Sequence, residues 1–171
     1  MKKIAIMFTL FYLLTPAAAF PFDADKPTYN IEKTTYDLTH KWIPWREKVR
    51  IIDDLSPLRD EKVLETLITI YNDGSLNFGC PAILYHTVNG MRYFRGNKKA
   101  IRTVRDGIHY DEPEIRMISL EVLGVIGSEE DIDYLKPFLK SKSSFESHYA
   151  QIAIEKIRQR KGRRDAMSDR L

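Results

Sequence analysis

The chain has 171 residues, 43% of them hydrophobic and 30% charged, with a formal net charge of +3. That length suits one domain of ordinary size, and the hydrophobic fraction excludes a disordered chain. Eight glycines and eight prolines exclude collagen-like and low-complexity classes, and a single cysteine excludes an internal disulfide framework or a multi-cysteine zinc site.

In chain order, the first element is an expected signal peptide over residues 1–19. Lys2 and Lys3 form a positive start, and Ile4 to Leu14 is an eleven-residue apolar core. Pro16 breaks the run, and Ala17-Ala18-Ala19 supplies the small residues that signal peptidase requires. The pattern places cleavage after Ala19, with Phe20 opening the mature chain. A spanning helix needs about 20 apolar residues, and the dense core falls well short. The implied location is periplasmic or secreted. Cleavage takes Lys2 and Lys3 with it and lowers the net charge from +3 to +1, so any basic partner surface must be a local cluster.

Residues 20–44 carry Pro21, Pro27 and Pro44 among polar and aromatic residues. They read as an extended arm or N-terminal cap. Trp42 and Trp45 flank Pro44, where they either cover the apolar end of the first helix pair or form an aromatic contact patch.

From Trp45 onward apolar residues fall at helical spacing. Val49, Ile52 and Leu55 stripe one helix, and Val63, Leu64, Leu67, Ile68 and Tyr71 the next. Ile115, Ile118, Leu120, Val122, Leu123 and Ile126 stripe a third. Ile132, Leu135, Phe138 and Leu139 stripe a fourth, and Tyr149, Ile152, Ala153, Ile154 and Ile157 a last one. Asn72-Asp73-Gly74 reads as a turn. Asp111 and Glu114 resemble a capping box around Pro113, Gly127 suits a left-handed helix end, and Ser128 with Asp131 suits a cap for the following helix.

The stripes repeat. Ile52, Leu55, Leu64, Leu67, Ile70 and Tyr71 map onto Leu120, Leu123, Ile132, Leu135, Phe138 and Leu139 at an offset of 68. Half that offset, 34, carries Leu120 and Leu123 onto Ile154 and Ile157, and Leu67 and Ile70 onto Ile101 and Val104. A 34-residue period of paired helices is the signature of an α-solenoid.

Residues 114–139, EIRMISLEVLGVIGSEEDIDYLKPFL, resemble a HEAT-like repeat of the short bacterial kind also seen in phycobilisome lyases. The resemblance rests on Ile115-Arg116, the small Ser119, Leu120 and Leu123, Gly124, Gly127, the Ser-Glu-Glu-Asp turn, and Ile132, Leu135 and Pro137. It extends into 147–158, weakens over 46–71 and is poor over 75–110. It implies an all-α fold, a short right-handed α-solenoid of about three to four helical hairpins over residues 45–160, usually a scaffold that binds other macromolecules. The family carries no shared catalytic motif and implies no cofactor.

Residues 75–110 depart from the repeat. From Gly74 to Arg105 six basic residues occur and no acidic one. Arg95, Lys98 or Lys99, Arg102 and Arg105 recur every three or four positions, with Ala100, Ile101, Val104 and Ile108 on the other side, and Arg92 joins them as a candidate binding residue. This predicts an amphipathic helix with one basic side, either merely solvated or a docking stripe for an acidic protein surface or anionic headgroups. Nucleic acid is not expected for an exported chain of charge +1. Arg158 to Leu171, six basic residues against two acidic, reads as a soluble terminus, with 161–171 a basic flexible tail.

Candidate chemistry is sparse. Cys80, His86, His109, Asp111 and Glu112 stand nearest to one another, with His40 and His148 apart. Cys80 and His86, six apart, have no recognised ligand spacing. His109-x-Asp111-Glu112 offers metal ligands but reads more simply as a polar helix end, and no phosphate loop or hydrolase motif occurs. Three functions remain open: an exported adaptor gripping another protein, with Arg50 and Arg116 on or beside its binding face; an inhibitor or immunity-type protein plugging an enzyme with residues 75–96; or an enzyme using Cys80 and His86.

Overall fold

The computed structural model describes residues 28–168. The expected signal peptide and its cleavage point lie outside the described residues. Among those residues every regular element is helical, and no helix is long and apolar enough to cross a membrane.

Local chemistry sets the boundaries. Asn30 caps α1 (Ile31–His40) by accepting from the Lys33 amide at 3.0 Å. Pro44 precedes α2 (Trp45–Leu55), where its missing amide hydrogen costs nothing. Asp60 caps α3 (Glu61–Asn72), accepting from the Lys62 amide at 2.8 Å. Asp73 does the same for the single turn α4 (Gly74–Asn77). Phe78 and Gly79, both at positive φ, then reverse the chain, and Pro81 opens α5 (Pro81–Gly90). Asn97 caps α6 (Lys98–Gly107) through two amides. Pro113 opens α7 (Pro113–Ile126). A Ser128–Asp131 capping box precedes α8 (Ile132–Leu135), and α9 (Ser144–Ser168) closes the series.

The helices pack in two rows. In one, α2 lies against α5, α5 against α7 and α7 against α9. In the other, α1 lies against α3 and α3 touches α6. Across the rows α3 meets α5, α6 meets α7, and α8 with the 3-10 turn after it meets α9. One hydrophobic cluster runs between them from Leu38 to Ile157, through Ile52, Leu64, Ile83, Val104, Leu120 and Ala153.

Several expectations need correction. Of the two readings of residues 20–44, the extended arm does not hold over residues 31–40, which form α1, with Leu38 buried and the helix resting on α3. Trp42 and Trp45 do not cover the first helix pair: they are 78% and 47% exposed, because α1 already occupies that face. Within residues 75–110, α6 is the amphipathic helix the spacing predicts, with Ala100 and Val104 buried, and what the spacing did not reveal is α5, whose Ile83 and Val88 are also fully buried. The fourth stripe is not one helix, since Pro137 falls in its middle and residues 136–140 tighten into a 3-10 turn. Glu112 rather than Asp111 stands at the start of α7, with no side-chain cap. Gly127 is not left-handed (φ −72°). It is glycine for closeness: a Cβ there would lie 2.9 Å from Asp131 Oδ2. The tail is helical to Ser168, and its first residues are tied down. Arg160 donates to the Gly124 and Gly127 carbonyls, and Lys161 pairs with Glu129 at 2.8 Å.

Candidate binding surface

The basic stripe is divided by its neighbours. α6 turns 100° per residue, so its cations leave the helix in different directions. Lys99 points toward α3, where its ammonium meets Glu65 at 3.1 Å and Glu61 at 3.5 Å. The Glu65 carboxylate holds the Lys99 ammonium above its ordinary pKa. Arg105 leaves from the other edge and donates through Nε to Asp131 Oδ1 at 2.5 Å, its guanidinium 4.6 Å from the Tyr134 ring centre. The buried Asp131 carboxylate also caps the turn before α8 and raises the Arg105 pKa further. Arg92 is not on α6 at all: it sits on a 3-10 turn and pairs with Glu121 of α7 at 2.8 Å.

That leaves Arg95, Lys98 and Arg102. All three are exposed, and among the described residues none lies within ion-pairing distance of a carboxylate. Lys98 and Arg102 are one turn apart, and Arg95 stands just before the Asn97 cap. Arg95 and Lys98 border the start of α6, where the unpaired amides of the first turn carry partial positive charge, and no acidic residue occupies that turn. Sequence alone showed the charges. Their partners come from other helices, and one signal could have found them: Glu65 and Lys99 are separated by 34 residues, the offset at which the apolar stripes recur in the sequence.

A cleft of about 420 Å³ opens beside these cations. Arg95, Lys98 and Ile101 form one wall, Ile126, Ser128 and Glu130 the other, and Arg105 closes one end. A second groove, about 560 Å³, runs between α1 and α2 past Lys33, Asp37, Trp42, Glu47 and Arg50. Its charges are mixed. Arg46 lies 5.2 Å from the Trp45 ring centre. The two tryptophans therefore belong to the far end of the molecule from α9, on a different helix pair from the α6 cations.

The remaining candidates are dispersed. Cys80 stands at the N-cap of α5 and His86 on that helix, about 9 Å further along and most of a turn round. His86 Nδ1 instead meets Asp53 of α2 at 2.8 Å. His109 faces Phe138, ring centres 5.9 Å apart. Among the described residues no group of three or more His, Cys, Asp or Glu is placed to hold a metal ion. Arg116 is engaged inside the fold, donating to Glu146 and to the Tyr110 and Asp111 carbonyls.

Compared with known proteins, the chain matches no family model and no curated relative.

Proposed function

We propose that this chain is an exported HEAT-like α-solenoid that binds an acidic surface of another protein and has no catalysis of its own. The pattern of contacts supports the repeat. Side-chain hydrogen bonds and ion pairs between distant described residues span 25 to 38 residues, the distance from one hairpin to the next. On this reading α2, α5 and α7 supply one helix of each repeat and α3, α6 and α8 the other. The two rows pack through α3 on α5, α6 on α7 and α8 on α9, while α1 and α9 close the two ends of the apolar seam. The charges in the signal-like start and the short apolar core support export.

One observation carries the function. On a molecule whose neighbouring helices are laced by ion pairs, Arg95, Lys98 and Arg102 follow one another into α6 with no acid within ion-pairing distance among the described residues. Three like charges held close raise the free energy of the free protein, and an acidic partner relieves that. The inhibitor reading has less behind it, because the segment offered as a plug contains α5, whose Ile83, Leu84 and Val88 are buried in the core.

Replacing Arg95, Lys98 and Arg102 with alanine tests the reading against replacing Arg92, Lys99 and Arg105. The first set should weaken partner capture and flatten its salt dependence while raising thermal stability slightly, because the like charges are gone. The second should lower stability more than it lowers capture. Equal capture by the first variant and the wild type refutes an α6 docking surface.

A further inference from the structure

The cleft beside α6 has a basic rim and an apolar floor. Arg95, Lys98 and the half-buried Ile101 line it along α6, Ile126 backs it with only 1% of its surface exposed, and Arg102 stands one turn beyond Lys98, outside the lining. We propose that it is the docking groove for an extended acidic segment of a partner protein in which apolar side chains alternate with acidic ones. This rests on the reading above, that the chain grips an acidic protein surface.

The geometry selects that ligand. A cleft of about 420 Å³ is at the small end of ligand sites and holds a few side chains rather than a folded surface. Successive side chains of an extended chain point to opposite sides. An alternating segment therefore sets its apolar members on Ile101 and Ile126 while its carboxylates reach the cations. The charges also fix a direction. At one end Arg105 is already neutralised by Asp131, and Glu130 stands in the wall. The carboxylates accordingly lie toward Arg95 and Lys98, away from Glu130. A polyphosphate or nucleic acid would meet the same cations but leave the apolar floor bare.

Fluorescence anisotropy on the intact protein tests this with two labelled synthetic peptides, Glu-Leu-Glu-Leu-Glu and Glu-Ser-Glu-Ser-Glu. The leucine peptide should bind at least about tenfold more tightly than the serine peptide. Its affinity should fall at least about tenfold in the Arg95→Ala, Lys98→Ala, Arg102→Ala variant, and should also fall in Ile101→Ser, with helical circular dichroism retained. The alanine changes Lys33→Ala and Lys136→Ala, on other helices, should leave it unchanged. Equal binding of the two peptides, or displacement of the leucine peptide by inorganic polyphosphate at equal charge, overturns the proposal in favour of a plain electrostatic patch. Failure of both peptides to bind, while partner capture still depends on Arg95, Lys98 and Arg102, overturns the groove and spares the adaptor. Loss of that dependence removes both.

Discussion

Gly124 of α7 lies so near Ala153 of α9 that a Cβ added to the glycine would stand 2.6 Å from the Ala153 Cα. Real Cβ atoms do not approach backbone that closely, so the two helices touch main chain to main chain at this point. The contact joins the last two members of the α2–α5–α7–α9 row, whereas Gly90 and Gly107 leave room for side chains, the hydroxyls of Ser56 and Ser119.

Gly124→Ala should therefore cost about 1–3 kcal/mol by forcing α9 outward. Gly162→Ala, on the same α9 with nothing near its missing Cβ, should instead stabilise by about 0.5–1 kcal/mol through helix propensity. Urea unfolding of the two variants checks both signs together.

Lys48 is buried, with its ammonium donating to the Leu76 carbonyl at 2.9 Å and lying 5.1 Å from the Phe78 ring centre. No carboxylate meets it among the described residues. Burial holds its pKa below the ordinary lysine value, so the folded state disfavours the charged form. That cost is fully present below the lowered value and is relieved as pH rises from there toward the ordinary value of about 10.5. Lys48→Met keeps the volume without the charge and should be at least as stable as the wild type at pH 7. Its advantage should shrink as the pH is raised. A loss of more than about 2 kcal/mol at pH 7 would show that the hydrogen bond to Leu76 outweighs the burial cost.

Much of this was legible from residue spacing, and the failures have physical causes. α3 and α7 are amphipathic over three or more turns, and their stripes stood out. The Ser128–Asp131 box was readable because a cap is a local contact. α1 was hidden by averaging over a segment with three prolines, although Pro27 falls before its Asn30 cap and Pro44 after its end. α5 was hidden because it is apolar on nearly every side and opens on Gly79-Cys80-Pro81, which reads as a loop. The basic stripe was visible as charge, but not which cations were already neutralised. Glu61, Glu65 and Asp131 reach α6 only once the chain is folded, from α3 and from the turn before α8. Lys48 looked like any surface lysine, since nothing within its own helix reveals that Leu76 and Phe78 close over it.

Glu146 joins three parts of the chain. Its carboxylate accepts from the Ser141 hydroxyl at 2.6 Å and from Arg116 Nε at 2.7 Å. The Ser141 hydrogen bond first, and then Arg116, hold its pKa below the ordinary carboxylate range. Its stabilising contribution is therefore complete above the unfolded value of about 4.3 and is lost as pH falls through the lower folded one. Glu146→Gln should cost about 1–3 kcal/mol at pH 7. The difference from wild type should narrow in acid, as pH-dependent denaturant curves will show.

Lys98 occupies the first turn of α6, where the helix dipole disfavours a cation and none of the neighbouring acids reaches it. Lys98→Glu should therefore raise Tm by about 1–3 °C while weakening the partner complex. A residue kept against local stability in this way is expected where binding is served. A fall in Tm with binding intact would place Lys98 in the scaffold instead.

The most direct test is site-specific photo-crosslinking in the periplasm, the compartment proposed for this chain, with the reactive group placed at position 102 on α6 and, separately, at position 85 on the exposed side of α5. The account predicts a protein adduct from position 102 that an acidic-apolar peptide competes away, joined through an acidic stretch of the partner, and little adduct from position 85. An adduct from position 85 alone, or one from position 102 that high salt and the peptide leave intact, would contradict it.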